Sequence, residues 1–208
     1  MRVVAISDTH TFEDQITVPD GDVLIHAGDA TITGTVAEVS AFAEWLESQT
    51  HKHKIVIAGN HDWLFEREPA HARSLMAPRA HYLQDSMVVI DGVRFYGAPW
   101  QPRFGDWAFN VNRGRAIRWK WNLIQPCDVL ITHGPPWGVL DSVKYGKPHL
   151  GCEELGEVVG DIMPRVHVFG HIHGGYGEFR APNGIRFINA SICDEAYNPV
   201  NAPIVFEL

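Results

Sequence analysis

A mixed-sheet α/β sandwich is the fold class this 208-residue sequence predicts, and three observations predict it. Short β-branched runs alternate with amphipathic helical stretches through the first half. Two hairpin signals, Asp91-Gly92 and Pro182-Asn183-Gly184, break that alternation later in the chain. The runs are also hydrophobic almost without interruption, as suits strands covered on both faces. A purely parallel sheet has no use for hairpins, so a mixed arrangement is expected. The length fits one compact domain spanning 1–208.

Strands are expected at 2–7, 22–27, 54–58, 87–90, 93–98, 128–132, 166–170, 185–189 and 203–207. Asp91-Gly92 joins the fourth to the fifth, and Pro182-Asn183-Gly184 joins 176–181 to 185–189. The strongest helix covers 36–49, where Val36, Val39, Phe42, Ala43 and Leu46 form an apolar stripe. Glu38, Glu44 and Glu47 face outward, and Thr35 is a suitable N-cap. Weaker helices are expected at 62–67, 69–76, 113–123 and 152–162. Two segments have no period: 97–115, dense in Pro, Trp, Phe, Gly and Arg, and 134–151, with Pro135, Pro136, Trp137, Lys144, Tyr145 and Lys147. Long aromatic loops in a compact domain are commonly functional.

Apolar residues make up 45% of the chain and charged residues 20%, a globular balance and not a disordered one. The formal charge of -8 argues against a broad grip on nucleic acid or anionic membrane, which requires neutralising phosphates with Lys and Arg. A small phosphate substrate is compatible with it, because bound metal reverses the sign locally. Cys127, Cys152 and Cys193 are scattered, odd in number and without metal-type spacing, so three reduced thiols are expected. Met1-Arg2 leads straight into the first strand, leaving no room for a secretory signal, and no apolar stretch reaches the roughly 18–20 residues that span a bilayer. A soluble cytoplasmic protein is expected.

The chemistry lies where the apolar runs stop. Asp8-Thr9-His10 follows the first run, Gly28-Asp29 the second and Gly59-Asn60-His61-Asp62 the third. His133-Gly134 follows Val129-Leu130-Ile131, and Gly170-His171-Ile172-His173 follows Val166-His167-Val168-Phe169. Strands that end this way at one sheet edge converge their Asp, Asn and His side chains, which is how a two-metal hydrolytic centre is built. Carboxylate, amide oxygen and imidazole suit Mn, Fe, Zn, Co or Ni, and the set is too rich in imidazole for a dedicated Ca or Mg site. His26 and His167, inside apolar runs, read as core residues; His51, His53, His71 and His81 read as solvated. Asp62 also reads as a carboxylate at a helix N-terminus.

Taken in order, these blocks resemble the calcineurin-like metallophosphoesterase superfamily, whose pattern runs D-x-H, G-D, G-N-H-D/E, His and G-H-x-H. The resemblance implies a sandwich of two mixed β-sheets flanked by helices. It also implies that Asp8, His10 and His173 hold one divalent transition metal, with manganese the expected ion. Asn60, His133 and His171 would hold a second, and Asp29 would bridge the two. His61 would be the general acid, oriented by Asp62. Two divalent cations outweigh the two aspartates and a metal-bridging hydroxide, so the centre stays net positive and draws in an anionic ester. Metals about 3.5–4 Å apart acidify that bridging water, which attacks phosphorus opposite the leaving alcohol. His61 then protonates the leaving oxygen.

A closer resemblance runs through nearly the whole chain. Ile55–His61, Ile131–Pro136, His167–Gly177, Gly97-Ala98-Pro99-Trp100, Trp107-Ala108-Phe109-Asn110 and Ile188-Asn189-Ala190-Ser191 are similar to the metallophosphoesterase-domain branch with brain and fetal-brain members. Some members of that branch lack the counterpart of His171; this chain retains it, which implies an intact second site. No Arg follows Gly28-Asp29, unlike in the protein phosphatases. The branch implies a phosphodiesterase acting on nucleotide or cyclic-nucleotide substrates. Trp100, Trp107, Trp137 or Tyr176 would stack a base, and Arg103, Arg113 or Lys144 would meet an anionic oxygen. A phosphomonoesterase or small nuclease on the same centre is the alternative within the class. A nucleotide- or protein-binding module with residual activity is the alternative outside it.

Overall fold

Val3, Val4, Ala5 and Ile6 have no exposed surface on either side of the chain, which already requires something packed on both faces of the first strand. The computed structural model describes residues 1–143 and 148–208. In it, β1 (Arg2–Ile6), β2 (Val23–His26), β3 (His53–Val56) and β4 (His81–Tyr82) run parallel, and the C-terminal β13 (Ile204–Glu207) closes the sheet antiparallel to β1. The second sheet takes β5 (Ser86–Ile90), β6 (Val93–Ala98), β9 (Val129–Thr132), β10 (Val166–Phe169), β11 (Gly177–Arg180) and β12 (Arg186–Asn189). Its centre, β12-β10-β9-β6, is parallel, while β11 and β5 pair antiparallel at its edges through the two predicted hairpins. A two-residue ribbon, β7 (Gln101–Pro102) with β8 (Asn110–Val111), organises the aromatic loop.

Alternation along the strands sorts the core into layers. Val3, Ala5, Ile25, Ile55, Phe95, Val129, Ile131, Val168 and Ile188 meet between the sheets. Val4, Ile6, Leu24 and Val56 face the other way, onto α1 (Val36–Ser48), α2 (Trp63–Arg67) and α3 (Pro69–Met76). Tyr96, Leu130, Phe169 and Phe187 face α4 (Arg115–Trp121) and α5 (Glu153–Ile162). The predicted stripe of α1 is the buried one apart from Val36, which is exposed, and Thr35 caps the helix in a reciprocal box with Glu38. The strands β4, β7 and β8 were not expected; two residues are too few to carry a period. His51, expected in solvent, is buried, whereas His71 and His81 are exposed and His53 is half-buried. Among the described residues no helix is long and apolar enough to cross a membrane.

This layering positions the site. Parallel strands end on the same edge, so the loops after β1, β2 and β3 lie side by side, as do those after β9, β10 and β12. Backbone bonds lace the loops within each set, from the Asp8 N–H to Gly28 and from the Gly170 N–H to His133, and the Ile192 N–H to Ser7 joins the two sets.

Candidate metal centre

Asp8, His10, Asp29 and His171 all have left-handed backbone, with φ of 53°, 45°, 56° and 67°. Non-glycine residues seldom adopt that region, and each costs of order 1–3 kcal/mol, so four at one sheet edge mark a place where side-chain direction overrides backbone preference. Glycine supplies the remaining room. A Cβ on Gly170 would overlap Asp8 Oδ2 and Ser7 Oγ, and one on Gly59 would overlap Asp29 Oδ1.

One device repeats on four imidazoles. His10 Nδ1 donates to the Thr31 carbonyl (3.2 Å), His61 Nδ1 to Ile32 (2.7 Å), His133 Nδ1 to Ala27 (3.0 Å) and His173 Nδ1 to Asp194 (2.8 Å). Each bond fixes the ring and its tautomer and leaves Nε2 for the centre, the arrangement that metal-bound histidines need. The Nε2 atoms do converge: His10 and His173 come within 3.4 Å, and His133 Nε2 lies 2.9 Å from Asn60 Oδ1. Two ring nitrogens facing at 3.4 Å, with His10 Nδ1 already donating elsewhere, require a proton or a cation between them.

The carboxylates complete the set. Asp8 Oδ1 is 3.5 Å from His173 Nε2; Asp29 Oδ2 is 3.3 Å from His133 Nε2 and 4.0 Å from His10 Nε2. Three groups of donors within 4.8 Å of one another result: Asp8, His10 and His173; Asp29, His133 and His171; and His10, Asp29 and His61. Asp29 belongs to two of them, and so does His10, so the three groups form one chain across the site. Ser191, whose place in this network the sequence did not reveal, donates Oγ to Asp8 Oδ2 at 2.9 Å, and the His171 N–H donates to the same carboxylate.

The electrostatics of the metal-free site point the same way. Burial works to raise Asp8 and Asp29, yet neighbouring imidazoles, His173 for Asp8 and His133 for Asp29, hold both well below the usual carboxylate range. Burial works to lower His133 and His173, yet Asp29 and Asp8 respectively push each up to about 9. His171, buried and beside His133, falls to about 3. Two buried anions thus keep two protons on histidine, and a pair of cations would replace them. The donor chemistry, the inward nitrogens and this demand for positive charge fit divalent transition metals.

Asp62 stands at the N-cap of α2, where the sequence placed it. Its carboxylate makes no hydrogen bond to His61 and none that caps α2. It accepts instead from the N–H groups of Asp29 (2.9 Å), Gly59 (2.8 Å) and Thr31 (3.0 Å) and from Thr31 Oγ1 (2.7 Å). Asp62 therefore pins the loop after β2 to the loop after β3, and the Ile32 carbonyl orients His61. Burial first, then the charge of Asp29, raises the Asp62 carboxyl to about 6.

A cavity of about 390 Å³ opens over this centre, lined by Asp29, Asn60, His61, His171 and His173 below and by Phe104, Trp107, Arg103 and Tyr197 around. Trp107 lies across His61 with ring centroids 4.2 Å apart, and Phe104 sits 5.1 Å from His171. Tyr197, missed in the sequence, packs on His10 at 4.7 Å; Asp194 accepts the flanking N–H groups that hold its turn. Of the expected substrate contacts, Trp100, Trp137 and Tyr176 do not line this cavity, and Tyr176 lines a neighbouring one that also takes in His173. Trp100 bonds Asp85 and lies under Lys120; Trp137 rests on His149; the Tyr176 hydroxyl donates to Ala202. Arg113 reaches the wall, but its terminal nitrogens donate to the Leu150 and Gly151 carbonyls at 2.9 Å. Lys144 lies outside the described residues. His26 and His167 are core residues, each bonded to a buried threonine hydroxyl.

The sequence model of the family described as calcineurin-like phosphoesterase matches residues 1–175. Metallophosphoesterase domain-containing protein 1 of Homo sapiens is 46% identical over 231 residues, an alignment that takes in 100% of this chain and 71% of that one. Among solved structures, a phosphopantetheinyl hydrolase from Mycobacterium tuberculosis has the same fold, with a TM-score of 0.60 at 18% identity, covering 91% of this chain and 88% of its own. A protein of Thermus thermophilus shares it too, with a TM-score of 0.57 at 14% identity over 90% of this chain and 88% of its own. Sequence match, two-sheet architecture and a histidine- and carboxylate-lined edge agree: the chain belongs to the calcineurin-like phosphoesterases, a family of metal-dependent phosphoester hydrolases.

Proposed function

We propose that residues 1–208 act as one catalytic domain, a dinuclear metal-dependent phosphodiesterase of the cytoplasm whose substrates are nucleotides or cyclic nucleotides. The observation that carries the dinuclear reading is the position of Asp29, which faces two separate donor groups, one with His10 and one with His133 and His171. Asp8, His10 and His173 would hold one cation, Asn60, His133 and His171 the other, and Asp29 would bridge. Manganese is the expected ion, with Fe, Zn, Co and Ni compatible with the same donors. When bound, the pair supplies Lewis acidity toward the phosphoryl oxygens and an activated water near neutral pH.

The chain's own residues do the rest. His61 has Nδ1 committed to Ile32, so Nε2 is the nitrogen free to deliver a proton to a leaving oxygen. Trp107 and Tyr197 cover the surroundings of His61 and His10 and keep bulk water from them. Arg103 brings a positive charge to the wall that an anionic ester meets. The cavity volume is that of a small-molecule site, which favours a nucleotide-sized diester over a long strand. Three free, buried cysteines agree with a reducing compartment. Ile204 and Phe206, beyond the family match, pack into the same core as Val3 and Ile131, in keeping with one domain.

The test is metal analysis of the purified protein followed by a panel of aryl diesters, cyclic nucleotides, monoesters and single-stranded oligonucleotides. His61→Ala should cut turnover by about 100-fold or more with metal content unchanged. Unchanged turnover removes the acid role; monoesters alone being cleaved favours the phosphomonoesterase reading.

A further inference from the structure

Resting on that reading, we propose that Trp107 and Phe104 form the subsite for the leaving group, and that this enzyme selects diesters whose leaving alcohol carries a flat ring. In the reaction the P–O ester bond breaks with its electron pair on the alcohol oxygen. A proton from His61 Nε2 completes the alcohol, and the hydroxyl taken from water stays on phosphorus. The oxygen that departs must therefore sit within hydrogen-bond reach of Nε2, about 2.6–3.2 Å. Whatever it is attached to then occupies the space next to His61.

The structure defines that space. Trp107 covers one face of His61, with centroids 4.2 Å apart and planes 33° from parallel. His10 also meets His61, edge-on at 4.7 Å. Phe104 continues the wall 6.5 Å beyond Trp107 at a 31° tilt, then meets His171 at 5.1 Å. Phe104 is 42% exposed with no core to bury it, a large apolar side chain held open at the mouth of a cavity. The lining beyond these rings is Pro102, Pro135 and Leu150, again apolar. Of the charged lining residues, Arg113 has its terminal nitrogens donating to the Leu150 and Gly151 carbonyls. A planar group, whether an arene or the base of a leaving nucleoside, stacks on such a wall without asking for hydrogen bonds, whereas an alcohol with no ring fits it less well. The inference concerns the departing half of the diester and leaves the retained half free to be any ester.

The experiment uses two methyl phosphodiesters whose leaving alcohols have matched acidity, one aryl and one a fluorinated aliphatic alcohol, so that only the ring differs. The metal-loaded wild type should favour the aryl ester by about 10-fold in kcat/KM, an amount that stacking of one ring supplies. Trp107→Ala should erase most of that preference through the aryl ester, and Trp107→Phe should restore part of it. In metal-free protein labelled at its indole nitrogens, the free phenol should shift the Trp107 resonance, identified by its disappearance in Trp107→Phe, while the aliphatic alcohol should not. Equal losses for both esters, or a phenol that leaves Trp107 unmoved, overturn the inference while the phosphodiesterase reading stands. A wild type that cleaves neither ester sinks both.

Discussion

Removing the charge at Asp29 gives the sharpest test of the metal-free electrostatics. The perturbation is Asp29→Asn, studied in chelator. The substituted amide keeps an oxygen for the His61 N–H, which now bonds Oδ1 at 2.8 Å, and loses only the anion facing His133 at 3.3 Å. Without that anion the main influence raising His133 is gone, and burial pulls its titration down from about 9. A histidine raised on folding stabilises fully below its unfolded value and loses that stabilisation as pH rises through the folded one. The interval from 6.5 to about 9, at about 1.4 kcal/mol per pH unit, corresponds to about 3 kcal/mol, most of which disappears between pH 6.5 and pH 9. His173, raised to about 9 chiefly by Asp8 and to a lesser extent by Asp29, contributes a second slope of similar size, from which the substitution removes only the smaller Asp29 share. Wild-type protein should therefore shed about 5 kcal/mol across that window and the variant about half as much. The buried thiols lose stability equally in both chains near the upper end, so the difference isolates His133. Urea unfolding at intervals from pH 6.5 to 9 measures it, and parallel curves for the two chains would refute the pairing of Asp29 with His133.

Two further predictions probe the scaffold. Gly170→Ala should abolish metal retention and activity, because its methyl overlaps Asp8 Oδ2 and Ser7 Oγ; a variant that binds metal normally would show that the loop after β10 yields. Glu13 is buried with Oε2 lacking a partner, and burial raises its carboxyl to about 7 from 4.5. The folded chain thus keeps a proton that the unfolded chain releases, and stability falls between pH 4.5 and about 7. Glu13→Gln removes that loss: it should match wild type near pH 5 and exceed it by about 2–3 kcal/mol at pH 8, and melting curves of equal separation at both pH values would contradict it.

Much of this molecule was legible along the chain. Each long strand carried its own hydrophobic run, each hairpin its Asn-Gly or Asp-Gly signal, and α1 its stripe and Thr35 cap. The candidate ligand residues were legible for the same reason: parallel strands end at a common edge, so residues that follow apolar runs are brought together by topology alone. Tyr197 had no such signal. It sits in a turn after β12, and only the packing of that turn on His10 gives it a place in the site. Trp100 and Trp107 looked equivalent in one aromatic loop, and the β7–β8 ribbon sent the first to Asp85 and the second to His61.

By itself, then, the order of residues determined the mixed sandwich and pointed to the candidate metal donors, because the strands follow from local periodicity and the candidates from where strands stop. Tertiary structure alone decided the direction of each nitrogen and the work of Asp62. Those depend on which backbone carbonyls and N–H groups from distant loops lie within about 3 Å, a distance that pattern along a chain does not encode.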